Sequence, residues 1–125
     1  MNAPLIASLP ASDMARAKAW YQKHLGLTPV EEHAEGAAFY ETGGVRFLVY
    51  PSSFAGTNQA TAAGFAVDDF DAAIGELRAS GVTFEDYDFG DEFSTVDGVL
   101  TGPDGTRGAW FKDSEGNILG VSEGT

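Results

Sequence analysis

The feature that most restricts what this chain can fold into is a pattern written twice. Residues 4–27 (PLIASLPASDMARAKAWYQKHLGL) read as a short apolar strand, an Asp-started amphipathic helix and a Leu-Gly stop. Residues 62–82 (AAGFAVDDFDAAIGELRASGV) repeat the plan, with Asp13 and Asp69 in matching places 56 residues apart. Ser12 or Asp13, and Asp68 or Asp69, can cap a helix because a short side-chain oxygen satisfies free N–H groups of the first turn. Met14, Ala17, Trp20, Tyr21 and Leu25 then fall near the spacing of one buried helical face, as do Phe70, Ala73, Ile74 and Leu77. Gly26 and Gly81 end the two helices by tolerating a left-handed conformation.

More strands follow each helix. Residues 28–33, 37–41 and 45–50 read as three strands, the last two joined by the Thr42-Gly43-Gly44 turn. After the second helix, residues 82–87, 97–101, 107–112 and 118–122 read as strands, with turn signals at Gly102-Pro103-Asp104-Gly105 and Asp113–Asn117. The polar stretch around 53–60 is the expected linker between modules at about 1–52 and 61–125. A chain of 125 residues holds one domain. The expected architecture is α+β: two βαβββ modules forming a curved mixed sheet around a central cleft.

Charge and composition exclude several roles. Seven Lys and Arg stand against 19 Asp and Glu, a formal charge of −12. Nucleic acid and anionic membrane surfaces would be repelled, since binding them rests on basic neutralisation of phosphates. No apolar run approaches the roughly 18 residues of a membrane span, and the first ten residues lack a signal-peptide pattern. With no cysteine there are no disulfides, thiolate metal sites or Cys nucleophiles. A cytoplasmic protein is expected.

Together with the order of the elements, the segments LPASDMARAKAWYQKHLGL, FAVDDFDAAIGELRASGV and WFKDSEGNILGV resemble the vicinal oxygen chelate superfamily. That group includes glyoxalase I, extradiol dioxygenases and the fosfomycin- and bleomycin-resistance proteins. The resemblance spans nearly the whole chain. It implies that the first and fourth strands of each module could each supply one metal ligand, typically His, Gln or Glu. The corresponding residues here are Ile6, Leu48, Ala62 and Gly120, none of which can bind a metal. Shifting the register by one brings in Leu5 or Ala7, Phe47 or Val49, Thr61 or Ala63, and Leu119 or Val121; of these only Thr61 has a side-chain oxygen. The expectation is no metal and no cofactor.

Strand residues alternate between faces. Ile6, Ser8, Arg46, Leu48, Tyr50, Ala62, Gly64, Gly120 and Ser122 should therefore face the cleft, joined by Trp110 and Lys112. The opposite parity (Ala7, Leu9, Phe47, Val49, Phe65, Val67, Leu119, Val121) should pack beneath the helices. Ala62, Gly64 and Gly120 lack bulk and should leave space. An apolar, aromatic pocket with one cation suits a small organic ligand. The candidate ligand-binding residues are Ser8, Arg46, Leu48, Tyr50, Ala62, Trp110 and Gly120. Arg46 either awaits an anionic group or pairs internally with an acid such as Glu41.

Other polar residues have simpler readings. His24 complements the C-terminal end of the first helix dipole. His33, within Glu31-Glu32-His33-Ala34-Glu35, belongs to a solvated hairpin whose alternating side chains cannot all converge. Asp86, Asp88, Asp91 and Glu92 form an acidic loop without the pattern of a calcium site. Ser8 or Ser122 as a nucleophile would need a base that neither histidine supplies. The leading function is a metal-independent small-molecule binding protein resembling the bleomycin-resistance branch, a homodimer by that likeness. The alternative is a glyoxalase-like lyase or isomerase with an atypical or metal-free site and Glu31, Glu41 or Asp86 as base. A partner-binding module is a third possibility, through exposed sheet edges.

Overall fold

Two aspartates start the two helices as the repeat predicts. A computed structural model describes residues 1–90 and 93–124. In it the Asp13 carboxylate accepts the Arg16 N–H at 3.0 Å ahead of helix α1, Met14–Trp20. The Asp69 carboxylate accepts the Ala72 N–H at 3.0 Å ahead of α2, Phe70–Ala79. The first helix continues as a wider π-helical turn, Tyr21–Leu25, and stops at Gly26 with φ +67°. Ala17 and Tyr21 are buried on one helix, Phe70, Ile74 and Leu77 on the other.

The chain divides into two units, Met1–Asn58 with Asp113–Asn117, and Gln59–Lys112 with Ile118–Thr125. The first contains strands β1 (Ala7–Ala11), β2 (Glu31–Glu32), β3 (Ala38–Thr42) and β4 (Val45–Pro51). They form a mixed sheet in the order β1-β4-β3-β2, with β1 parallel to β4. The second contains β5 (Thr61–Val67), β6 (Val99–Thr101), β7 (Arg107–Lys112) and β8 (Ile118–Glu123), ordered β5-β8-β7-β6 with β5 parallel to β8. Each unit is a βαβββ module. No helix among the described residues is long and apolar enough to cross a membrane.

The expected alternation holds at five of the eight positions assigned to the covered faces. Leu9, Phe47 and Val49 are buried in the first unit, and Leu119 and Val121 in the second. Phe65 and Val67 are half-buried, while Ala7 is exposed. Burying a side chain of this size contributes roughly 1.5–3 kcal/mol, so these stripes dominate each module's stability.

Three local features differ from the sequence reading. Strand β1 begins at Ala7 and runs through Pro10 to Ala11. Pro10 is accommodated because β1 is an edge strand, where the missing N–H breaks no ladder bond. Residues 82–87 form no strand: Phe84 makes a single bridge to Phe111, and the Glu85 N–H donates to the Trp110 carbonyl at 2.8 Å. Beyond that point the chain bonds to itself, the Phe89 N–H to the Phe93 carbonyl and the Thr95 N–H to the Tyr87 carbonyl. In β5 the register slips between Thr61 and Ala63, so Ala62 is the extra residue of a β-bulge.

The turn 113–117 belongs to the first unit and carries its buried polar groups. The Tyr21 hydroxyl donates to Asp113 Oδ2 at 2.6 Å, and Asn117 Nδ2 donates to that oxygen and to the Pro10 carbonyl. Glu115 accepts the Ser12 and Asp13 N–H groups at 3.0 Å each and pairs with Arg16 Nε at 2.8 Å. Every polar side chain of the turn's buried trio thus has partners, as burial demands.

Candidate functional site

On the second sheet, Trp110 is paired with Gly120, and Gly120 with Gly64. The two glycines keep that face low, and the Trp110 indole occupies the room. A Cβ on Gly120 would stand 3.5 Å from the indole nitrogen and 3.6 Å from the Thr61 methyl. The space expected above Gly120 is therefore filled by an aromatic ring. The indole N–H donates to the Thr61 hydroxyl at 3.1 Å, which fixes the ring's orientation.

Two more rings come from the segment that leaves the sheet after Glu85. Tyr87 meets Trp110 edge-on at 5.7 Å and 74°, and Phe89 meets it at 6.4 Å and 73°. Tyr87 and Phe89 lie 5.4 Å apart. With Gln59, Ala60, Thr61 and Ile118 these rings line a pocket of about 240 Å³. Phe89 keeps 61% of its surface exposed, an unusual state for a ring held against two others. Burial, and then the nearby Glu85 charge, push the Tyr87 hydroxyl above its ordinary pKa, so it stays neutral at pH 7.

The bulge decides which β5 residue reaches this face. Thr61 pairs with Ile118 and Gly64 with Gly120, so Thr61 and Gly64 share the face of Trp110. Ala62, the bulged residue, is half-buried between them. A bulge is invisible to strict alternation, which is why Thr61 stood only among the shifted-register residues. Tyr87 and Phe89 were readable only as aromatics interleaved with acids in EDYDFGDE. Of the acidic loop expected there, Asp91 and Glu92 lie outside the described residues. Asp88 accepts from the Gly90 N–H and the Ser94 hydroxyl, and Asp86 from Thr95 and the Gly98 N–H, so both serve as turn acceptors.

A larger hollow of about 480 Å³ in the same unit is lined by Arg78, Phe84, Asp86 and Asp97. Its guanidinium donates to the Asp97 carbonyl and rests 5.4 Å over the Phe84 ring. The smaller aromatic pocket is the better candidate, because three rings meet there, Phe89 exposed and Tyr87 and Trp110 half-buried, and the indole N–H is already bonded to Thr61.

The first sheet has its own open face. Ser8 pairs with Leu48, Leu48 with Phe39, and Arg46 with Glu41. Ser8 and Arg46 are exposed there, and Leu48 and Tyr50 are half-buried. The Arg46 guanidinium lies 4.7 Å over the Phe39 ring and reaches Glu31, rather than Glu41, at 3.4 Å. His33 sits between Glu31 (2.5 Å) and Glu35 (3.3 Å). The hydrogen bond to Glu31 raises the His33 pKa, and the same bond, helped by Arg46, lowers that of Glu31. Glu32 takes the other face of the strand and pairs with Lys18.

The four residues that the family resemblance sets at the metal-ligand places, Ile6, Leu48, Ala62 and Gly120, carry no side-chain donor. The neighbouring Thr61 hydroxyl is engaged by Trp110. Among the described residues no group of three His, Asp or Glu is arranged to hold an ion. This donor set does not fit the metal of the fold's metal-dependent members.

Residues 5–119 match the sequence family described as the Glyoxalase/Bleomycin resistance protein/Dioxygenase superfamily. No curated protein sequence matches the chain. Its fold is similar to that of a lactoylglutathione lyase from Agrobacterium tumefaciens (TM-score 0.74, 20% identity, covering 99% of this chain and 95% of that one). It is also similar to a glyoxalase/bleomycin resistance protein from Catenulispora acidiphila (TM-score 0.69, 21% identity, covering 99% and 100%). A mutant fosfomycin resistance protein from Listeria monocytogenes, complexed with Mn(II) and 1S,2S-dihydroxypropylphosphonic acid, gives a TM-score of 0.69 at 16% identity, covering 100% and 93%. At such identities the likeness is one of fold.

Proposed function

Because the chain belongs to the Glyoxalase/Bleomycin resistance protein/Dioxygenase superfamily, we propose that it is a metal-independent small-molecule binding protein of the glyoxalase/bleomycin-resistance type. The ligand enters the aromatic pocket of the second unit. The observation that carries this reading is the grouping of Tyr87, Phe89 and Trp110 around about 240 Å³. That volume is below the roughly 300–1,000 Å³ of pockets for drug-sized ligands. It exceeds the ~150 Å³ that accepts a benzene ring. One ring or one compact head group is the size that fits.

Two of the three bases open to the enzyme alternative are already engaged. Glu31 is tied to His33 and Arg46, and Asp86 to Thr95 and Gly98. A carboxylate at each ring nitrogen of His33 favours its protonated form, which raises its pKa and makes it a poor proton acceptor. On the open face of the first sheet, Arg46, with Ser8, Leu48 and Tyr50 beside it, offers a surface for an anionic group. The homodimer and the cytoplasmic location belong to the same proposal.

The test titrates a panel of small aromatic and alkylammonium compounds into chelator-treated protein and follows binding by calorimetry. Binding without added metal, abolished in Trp110→Ala with the fold retained, is the expected result. Stoichiometric Zn, Ni, Fe or Mn retained on purification and required for binding would overturn the reading. Light scattering tests the dimer.

A further inference from the structure

We infer that the Tyr87–Phe89–Trp110 pocket selects an organic cation, a quaternary or fully alkylated ammonium head group, over a neutral group of the same shape. The inference rests on the pocket being a ligand site, as proposed above, and names what the ligand must carry. Two rings stand nearly perpendicular to the indole, at 74° and 73°, and the third contact between rings is a tilted one at 5.4 Å. Walls set at such angles can surround a rounded head group; a flat ring would need parallel ones. The negative face of an aromatic ring attracts a cation within about 6 Å of its centre.

Hydrogen-bonding chemistry points the same way. The indole N–H is spent on Thr61, so the rings offer a guest mainly π surface. A quaternary ammonium has no N–H to satisfy, so it needs no acceptor from the rings.

The charge distribution supplies the second argument. Residues 59–112 and 118–125 contain twelve acids and three bases (Arg78, Arg107, Lys112), so this unit carries nine of the chain's twelve net negative charges. Residues 85–92, which supply Tyr87 and Phe89, contain five acids and no base. The nearest cation on the strand of Trp110 is Lys112, which pairs with Glu85 at 3.4 Å. A field of this sign concentrates cations and repels anions.

The test compares choline with its neutral isostere 3,3-dimethyl-1-butanol, following the Trp110 indole N–H resonance, which Trp110→Phe assigns. Choline should bind at least about fivefold more tightly than the alcohol, as expected for a cation resting on aromatic faces. That preference should fall toward parity in Phe89→Leu, a variant at an exposed position that keeps the native spectrum. Equal binding, or preference for the alcohol, overturns the inference while leaving the pocket as a ligand site. If neither compound moves the resonance, the assignment of the pocket falls with it.

Discussion

At the scale of single residues, Tyr40 and Glu115 lie at opposite ends of polar satisfaction. Tyr40 is fully buried, stacked on Phe47 at 5.2 Å, and its hydroxyl has no hydrogen-bond partner among the described residues. Burial, and then Glu32, push its pKa up to about 12. A hydroxyl desolvated without a partner costs about 1–3 kcal/mol. Tyr40→Phe should therefore stabilise the protein by about 1 kcal/mol in urea unfolding, and a loss of stability would show that the hydroxyl is satisfied after all. Glu115 shows the reverse. Burial alone would raise its pKa, but hydrogen bonds from Arg16, Ser114 and the Asp13 N–H outweigh burial and lower it from 4.5 to about 2. A carboxylate with a depressed folded-state pKa stabilises the fold above its unfolded pKa, and that stability is lost as pH falls toward the folded value. The depression corresponds to roughly 3 kcal/mol. The stability difference between the native protein and Glu115→Gln should be constant above about pH 5 and shrink toward zero near pH 2. A difference that does not change with pH would assign the role of Glu115 to packing instead of charge.

At the scale of elements, what was legible was what repeats at short range. Both helix caps, both apolar helix stripes and strands β5 and β7 follow from spacing alone, because each depends on neighbours within a few residues. The structure departs from the short-range pattern where a partner lies far along the chain. Residues 82–87 have the alternation of a strand, yet only Phe84 bridges β7, and the bulge at Ala62 moved Thr61 to the face of Trp110. What holds the irregular segment is a close approach. Gly98, at φ +79°, is backed so tightly by Phe84 that an added Cβ would lie 2.6 Å from the Phe84 Cβ. Gly105 has a similar φ of +86° with nothing within 4 Å of the added atom. Gly105→Ala should cost about 1–2 kcal/mol, the penalty of a left-handed alanine. Gly98→Ala should cost about 1–3 kcal/mol more, the penalty of overpacking. Equal losses for the two variants in urea unfolding would mean that the contact with Phe84 is unimportant.

At the scale of the whole molecule, the sequence revealed the fold, because the order of strand and helix signals is written twice. It named Trp110 but not its pocket partners, since Tyr87 and Phe89 reach it from a segment whose path no short-range pattern encodes. Nor did it indicate that the 113–117 turn serves the first unit, where Glu115 meets Arg16 across 99 residues of chain. One global property needs no structure to read: the formal charge of −12. Net charge of one sign destabilises a compact state by self-repulsion, whereas exposed ion pairs contribute about 0–1 kcal/mol each. Salt weakens both, so its effect on stability reports which is larger. Raising NaCl from about 0.01 to 0.15 M shortens the screening length from roughly 30 to 8 Å. Most of the long-range repulsion should disappear over that interval. The pair between Arg16 and Glu115 should be spared, because the glutamate side chain has no exposed surface. Stability should therefore rise, with Tm increasing by about 3–5 °C for about 1 kcal/mol in a chain of this length. A Tm that falls with salt would show that the pairs at Arg107, Arg46 and Lys112 outweigh the repulsion of the acidic surface.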